Sequence, residues 1–233
     1  MPAYDPPSDL VQFLRSGTPP IYIGFGSIVI DDPTHLTNVI IESIKSSGVR
    51  AIISRGWSSI GAAEGTDSIF YLDDCPHEWL FPKVSAVIHH GGAGTTACGL
   101  LNGRPTVIVP FFGDQPFWGR MIRNARAGPS PIPYRSLNSQ SLADGIRYCL
   151  TAQAIAAASD IASRMRNENG VKQAAALFHK QLPSDRLDCE IVPQQSATWL
   201  YTRWNRSVRL SNLAVERLCL AQDLKFKRKH LQQ

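Results

Sequence analysis

The sequence has no stretch approaching the ~20 consecutive apolar residues that a membrane-crossing helix needs. Its first residues, Met1-Pro2-Ala3-Tyr4-Asp5-Pro6-Pro7, carry neither a basic leader nor an apolar core, so no secretory signal is expected. The five cysteines, Cys75, Cys98, Cys149, Cys189 and Cys219, are odd in number and contain no C-x-x-C pair. That argues against a disulfide scaffold or a zinc site and for free thiols in a reducing, cytoplasmic setting. No G-x-S-x-G elbow is present, which removes the usual hydrolase nucleophile. Ile23-Gly24-Phe25-Gly26-Ser27 lacks the third glycine of a dinucleotide-binding turn. Internal repeats and low-complexity tracts are also missing. Charge imbalance is small, +5 in 233 residues, and uneven. From Pro183 onward nine Lys and Arg face five Asp and Glu, which places +4 of the +5 there. The body of the chain therefore has little field for nucleic acid, and no nucleic-acid partner is expected. The basic end reads first as a solvated terminus, with contact to an anionic surface as the alternative.

What is present is globular: 43% of residues are hydrophobic and 18% charged. The length suits one domain of ordinary core size with an appendage. The most informative stretch runs from Val84 to Thr96. Val84-Ser85-Ala86-Val87-Ile88-His89 is an apolar run of strand type. It ends in His90-Gly91-Gly92-Ala93-Gly94-Thr95-Thr96, and a helix-like segment follows to Asn102. A strand feeding a glycine-rich turn and a helix is an anion site. The first helical N–H groups lack partners, and the helix dipole favours negative charge there. The turn matches neither G-x-x-x-x-G-K-[S/T] nor G-x-G-x-x-G, so alone it is a weak signal.

A second strand, Thr106 to Val109, ends at Pro110-Phe111-Phe112-Gly113-Asp114-Gln115. Parallel α/β sheets place ligands at the carboxyl ends of their strands. An anion turn then lies beside a carboxylate–amide pair, the two partner types that phosphate and sugar hydroxyls need.

His90-Gly91-Gly92-Ala93-Gly94-Thr95-Thr96, Gly103-Arg104-Pro105, Pro110 and Asp114-Gln115 together resemble the donor-binding signature of family 1 UDP-sugar-dependent glycosyltransferases. These enzymes have two facing Rossmann-like domains, the GT-B architecture. The longer string from His89 to Gln115 looks most like fungal sterol 3-beta-glucosyltransferases. The resemblance covers roughly Pro20 to Gln181, and the tail more loosely. It implies an α/β fold, a Rossmann-like parallel sheet flanked by helices, forming the C-terminal half of a GT-B fold with a helical C-terminal tail. The expected organisation is a lead-in over 1–19, a UDP-sugar-binding domain over 20–182 and a tail over 183–233.

Within that frame Ile21 to Gly26 predicts the first strand, with Ser27 at its carboxyl end. The resemblance places Ser27 near the diphosphate; the residues alone read equally as a turn serine. Asp32-Pro33 predicts a helix start, and Leu36, Val39, Ile40 and Ile44 its packed face. Arg50 to Ser54 predicts a second strand, with Arg55 either facing the diphosphate or making a surface salt bridge, and Trp57 packing inward. Ile69 to Leu72 predicts a third. Asp73 to Pro82 resembles the segment whose backbone binds the uracil edge beside Cys75, with His77 as a ligand contact; a small or aliphatic residue is more usual at Cys75. Adjacent His89 and His90 point to opposite faces of a strand, so His89 is expected in the core and His90 at the ligand. Pro129 to Pro133 reads as an edge strand or loop. Asn138 or Ser139 caps a helix to Leu150, and helices follow over 152–166 and 171–181.

The resemblance assigns the diphosphate to His90, Ala93, Gly94 and Thr95, and glucose hydroxyls to Asp114 and Gln115. UDP-glucose is then a donor substrate, with no cofactor and no metal expected. The acceptor is a sterol or other lipid 3-hydroxyl, and the general base and most of the acceptor site belong to an N-terminal domain not contained in this chain. The isolated chain is accordingly expected to bind donor but to turn over slowly or not at all. A donor-binding subunit of a two-chain transferase and an inactive truncated relic are the alternatives. In the tail, Leu210, Leu213, Ala214, Leu218, Ala221 and Leu224 fall on one helical face. That face would meet the missing domain, a second copy, or a membrane surface as a peripheral contact.

Overall fold

A computed structural model describes residues 4–61, 65–182, 187–221 and 226–232. The chain divides into two compact units, 1–168 and 169–233. The first is a five-stranded, all-parallel sheet in the order β3-β2-β1-β4-β5. Its strands are β1 (Ile21–Gly24), β2 (Ala51–Ser54), β3 (Ile69–Leu72), β4 (Val87–His89) and β5 (Thr106–Ile108). Continuous apolar runs form these strands because both faces of the sheet are covered. Successive residues alternate between two cores. Ile21, Ile23, Ala51, Ile53, Ile88 and Val107 join one, which includes Leu36, Val39, Ile40 and Ile44 of α2 (Pro33–Ser47) and Leu142 and Ile146 of α6 (Ser139–Cys149). Tyr22, Ile52, Leu72 and Val87 join the other, with Leu10 of α1 (Ser8–Arg15) and Leu80 of α3 (His77–Leu80).

Local signals set the helix ends. Asp32 accepts from the His35 N–H at 2.8 Å, with Pro33 in the first turn of α2. Asn138 and Ser141 form a reciprocal capping box on α6. Thr151 caps α7 (Ala152–Arg166). The remaining helices of this unit are α4 (Ala93–Leu101) and α5 (Gln115–Asn124). The Pro129–Pro133 segment is a loop. It donates from Ile132 N–H to the Ile108 carbonyl at 2.9 Å, as a proline-punctuated neighbour of an edge strand can. The lead-in contributes α1, whose Leu10 is buried and whose Phe13 packs on Phe70 with centroids 5.5 Å apart.

The carboxyl ends of the strands are held by their loops. The loops after β1 and β2 are tied where the Gly26 carbonyl accepts from the Trp57 N–H at 3.1 Å. The Ser58 hydroxyl adds two bonds, accepting from Ile30 N–H at 2.8 Å and donating to the Ile28 carbonyl at 3.0 Å. Trp57 itself does not pack as the sequence suggested. Its backbone is committed to the tie, and its side chain is 78% exposed. Arg104 ties the next pair of segments, donating to the Asn102 and Val84 carbonyls, each at 2.8 Å.

The second unit holds α8 (Gly170–Gln181), a three-stranded antiparallel sheet in the order β7-β6-β8, and α9 (Asn212–Leu220). Its strands are β6 (Trp199–Arg203), β7 (Arg206–Leu210) and β8 (Leu231–Gln232). The expectation of a helical tail is corrected here. Leu210 ends β7, not a helix, and α9 starts only after Ser211, which caps it by accepting from Ala214 N–H at 3.2 Å. Trp199, Tyr201, Val208 and Leu210 recur at period two, the strand spacing, and this outweighed the helical spacing read through Leu210. Leu224, Pro183 and Lys225 lie outside the described residues.

Gly56 has φ +55°, and a β-carbon there would lie 2.6 Å from the Gly26 carbonyl oxygen. Gly56→Ala is expected to lower stability by about 2–4 kcal/mol, from left-handed strain plus the clash at the loop tie. Urea denaturation checks this, as a lowered midpoint at unchanged slope.

Candidate functional site

From β1 the chain winds outward through β2 and β3, then returns to place β4 on the other side of β1. The order therefore reverses between β1 and β4, and a crevice opens outside their carboxyl ends. In register Gly24 pairs with His89, so the two strands end level. The loop Phe25-Gly26-Ser27 leaves one strand and His90-Gly91-Gly92 the other.

These turns meet at His90. A β-carbon on Gly26 would sit 3.5 Å from His90 Cε1, and one on Gly92 2.6 Å from His90 Nε2. Ser27 is exposed beside Gly26. Gly91 has φ +96°, and a β-carbon there would strike Ile108 Cγ2 at 2.8 Å and Gln115 Cβ at 3.2 Å. Only glycine lets this turn press against β5 and the start of α5. Gly92 then opens α4 with no side chain capping it. Ala93 and Gly94 are exposed, and Thr95 is half-buried. Thr96 turns its hydroxyl back to the Gly92 carbonyl at 2.9 Å. The result is a helix N-terminus open to an anion.

The β5 end supplies the polar pair. Asp114 is exposed and accepts from Trp118 Nε1 at 2.8 Å. Gln115 is buried, and its Oε1 accepts from the Phe111 and Phe112 N–H groups at 2.7 and 3.1 Å. Its carbonyl therefore shapes the loop. On the far side, His77 opens α3, stacks on Phe81 at 4.6 Å and lies 3.1 Å from the Tyr22 hydroxyl through Nε2.

The structure places the side chains of Arg55 and Cys75. Arg55 Nε lies 3.5 Å from Asp73, and its guanidinium rests over Tyr71, so the salt-bridge reading of Arg55 is the one found. The Cys75 side chain is buried in the core beside Leu72 and Leu80, leaving only its backbone to face a ligand. Among the described residues no three His, Cys, Asp or Glu side chains group as a metal centre requires.

The histidines share one electrostatic state. His89 is fully buried; its Nδ1 accepts from the Gly91 N–H at 3.0 Å, which leaves the proton on Nε2, where it has no partner among the described residues. Burial first, then His90 and His77, pushes its pKa down to about 3. His90 and His77 are lowered chiefly by burial as well. All three are neutral imidazoles at neutral pH.

Sequence reasoning missed Tyr22, Ser58 and Trp118. A tyrosine in an otherwise aliphatic strand needs a partner for its hydroxyl, which was a usable signal for Tyr22. Trp118 follows Asp114 by one helical turn, which was another. Ser58 carried no signal, because its partners are backbone groups distant in sequence.

Comparisons with known proteins show the family and the fold. The family described as erythromycin biosynthesis protein CIII-like, C-terminal domain, matches residues 61–178. A sterol 3-beta-glucosyltransferase of Arabidopsis thaliana is 45% identical over 184 residues, covering 78% of this chain and 30% of the relative. That of Komagataella phaffii is 39% identical over 191 residues, covering 77% and 16%. Plant enzymes thus stand beside the fungal ones that the sequence resembled. The chain spans less than a third of the length of these relatives. Among solved structures, the kitacinnamycin glycosyltransferase matches with TM-score 0.59 at 19% identity, covering 72% of this chain and 44% of that one. A UDP-glucose:anthocyanidin 3-O-glucosyltransferase in complex with UDP matches with TM-score 0.59 at 16% identity, covering 72% and 40%. These two share the fold.

Depressed histidine pKa values have a signed consequence. Below about pH 6.5 the unfolded chain takes up protons on these imidazoles while the folded chain resists, so stability falls with falling pH. For His89 the loss continues down to about pH 3. The urea midpoint is expected to drop between pH 7 and pH 5. A flat profile would contradict the buried, neutral assignment.

Proposed function

The chain belongs to the erythromycin biosynthesis protein CIII-like C-terminal domain family, and from that premise we propose that it is the donor-binding half of a UDP-glucose-dependent glycosyltransferase. The proposed acceptor is a sterol or other lipid 3-hydroxyl. The observation that carries the reading is the uncapped start of α4, packed by Gly91 against β5 at the point where strand order reverses. The relatives named as sterol 3-beta-glucosyltransferases supply the sugar and the acceptor class.

In this reading the diphosphate sits over the first turn of α4. The N–H groups of Ala93, Gly94 and Thr95, the Thr95 and Ser27 hydroxyls and the His90 imidazole converge on its oxygens. Backbone groups around Cys75 hold the uracil edge, with His77 beside them. Asp114 takes a glucose hydroxyl with the carboxylate oxygen not given to Trp118. Gln115 offers its NH2, since its carbonyl is committed to the Phe111–Phe112 turn.

Catalysis from this half is stabilisation of departing UDP. Negative charge grows on the diphosphate as the glycosidic bond breaks, and preorganised N–H groups, the α4 dipole and a neutral N–H donor at His90 meet it. Arg104 is held by the Val84 and Asn102 carbonyls, so the reading assigns it to loop shape. The base that takes the acceptor proton belongs to the other half of the enzyme. The proposed setting is cytoplasmic, with UDP-glucose as substrate and no metal.

Calorimetric titration with UDP-glucose, UDP-galactose and ADP-glucose tests this. UDP-glucose is expected to bind in preference to ADP-glucose, and His90→Ala to weaken it about tenfold or more through a lost hydrogen bond to a charged group. Asp114→Asn should weaken UDP-glucose while leaving UDP unchanged. Equal binding of uracil and adenine donors, or no binding by a cooperatively folded chain, would overturn the proposal.

A further inference from the structure

Tyr22 is the one aromatic residue of β1, and its hydroxyl is carried to a particular place. The side chain leans along the strand over Gly24, where a β-carbon would lie 2.3 Å from the Tyr22 hydroxyl oxygen. The strand thus gives up a side chain at its carboxyl end, and the hydroxyl passes over the gap. The ring itself is held: it is 3% exposed and packs on Phe81 with centroids 5.1 Å apart. At the end of this reach the hydroxyl lies 3.1 Å from His77 Nε2. His77 belongs to α3, which follows β3, and β2 separates β3 from β1 in the sheet. The contact therefore ties the start of α3 to a strand that borders the crevice.

A hydroxyl and a neutral imidazole can share a hydrogen bond in two ways, and the ring proton sits on a different nitrogen in each. The surroundings choose between them. Burial pushes the Tyr22 pKa up to about 12, so the phenol keeps its proton. Burial also lowers the His77 pKa, so one ring nitrogen alone carries hydrogen at neutral pH. The Ser54 hydroxyl bonds the same tyrosine oxygen and is able to donate to it, which leaves the single tyrosine proton for His77. A phenol is also the better donor of the pair, and an imidazole nitrogen the better acceptor. Tyr22 then donates to Nε2, and the His77 proton sits on Nδ1. Nδ1 has no partner among the described residues, and the half-buried ring is held against Phe81, with centroids 4.6 Å apart and planes 14° from parallel. The His90 pKa is lowered first by burial and then by His77, so the two rings are neighbours in the crevice.

We infer that Tyr22 is a positioning residue of the donor site: it holds His77 in the tautomer whose Nδ1–H donates a hydrogen bond to an acceptor oxygen of the bound nucleotide. This rests on the donor-binding reading above and deepens it by giving the α3 side of the crevice a fixed polarity. An imidazole with its proton on Nδ1 can only donate there. It selects a carbonyl, hydroxyl or phosphate oxygen and rejects an N–H. Phenylalanine at residue 22 would fill the same space and keep the contact with Phe81, so the part played by the hydroxyl is separable from packing. Without that hydroxyl the ring divides between two tautomers, and a nucleotide that needs one of them binds only the matching fraction.

The test reads tautomer and affinity separately. Long-range proton–nitrogen NMR of the ligand-free whole chain reports which His77 nitrogen is protonated, and calorimetric titration with UDP reports binding. In the parent the proton is expected on Nδ1. Tyr22→Phe should fold cooperatively, show a mixture of tautomers and bind UDP about fivefold more weakly, the worth of one neutral hydrogen bond. His77→Asn separates this role from packing, because an asparagine NH2 stands near the Nδ1 position and has no tautomer to set. In that background Tyr22→Phe should weaken UDP no further. A proton on Nε2 in the parent, an unchanged tautomer or undiminished UDP binding in Tyr22→Phe, or the same loss in both backgrounds would overturn the inference while leaving the donor reading in place. Failure of the folded parent to bind UDP would instead overturn the donor reading, and this inference with it.

Discussion

The close approach of Gly91 to Ile108 and Gln115 is the constraint on which the site depends. It lets the turn after β4 fold down onto β5, which aims α4 along the crevice and sets Asp114 and Gln115 beside its start. A side chain at residue 91 would separate these two strand ends. The His89 ring supports the same turn from below, accepting the Gly91 N–H. A parallel sheet covered on both faces leaves only its ends for ligands. Positive-φ Gly26, Gly56, Gly91 and Gly113 lie at that carboxyl end.

The electrostatics follow from that geometry. Arg55 lies beside Asp73 and Tyr71, and Arg104 is bound to backbone carbonyls. The three histidines are held neutral mainly by burial. The crevice therefore presents fixed dipoles and backbone N–H groups, the partners that the proposed UDP-sugar donor would need. Fixed dipoles need little reorganisation when charge develops, which suits a group that becomes more negative as it departs.

Much of this was legible in the sequence because it was local. Apolar runs of strand length, the Asp32-Pro33 start, the Asn138 cap and the glycine turn each act within a few residues, and each was found. His89 and His90 were separable because strand neighbours face opposite ways. What was not legible depended on distant partners. Trp57 read as a packing residue because a large indole is usually buried, yet its backbone serves Gly26 and its ring is left outside. Gln115 read as a sugar ligand, and its carbonyl turned out to hold the loop that presents it. Leu210 fell in two patterns, the period-two run that starts at Trp199 and the helical spacing that continues beyond it, and cross-strand pairing chose the first.

Departures from local preference are informative because most of the chain obeys local rules. In the first unit, positive-φ Gly56 and Gly91 and the orphaned His89 Nε2 all lie at the carboxyl ends of the strands, around the candidate site. They are the concessions a binding surface makes to position backbone atoms. In the second unit the described left-handed non-glycine residues are Gln194, Trp204 and Asn205, the last two forming the β6–β7 turn. This unit has a small buried core, centred on Cys189, Leu210 and Ala214, so it has little stability to spare for unfavourable turns. A sequence under selection for stability alone would replace Trp204 first, since asparagine or glycine there removes strain without touching the core.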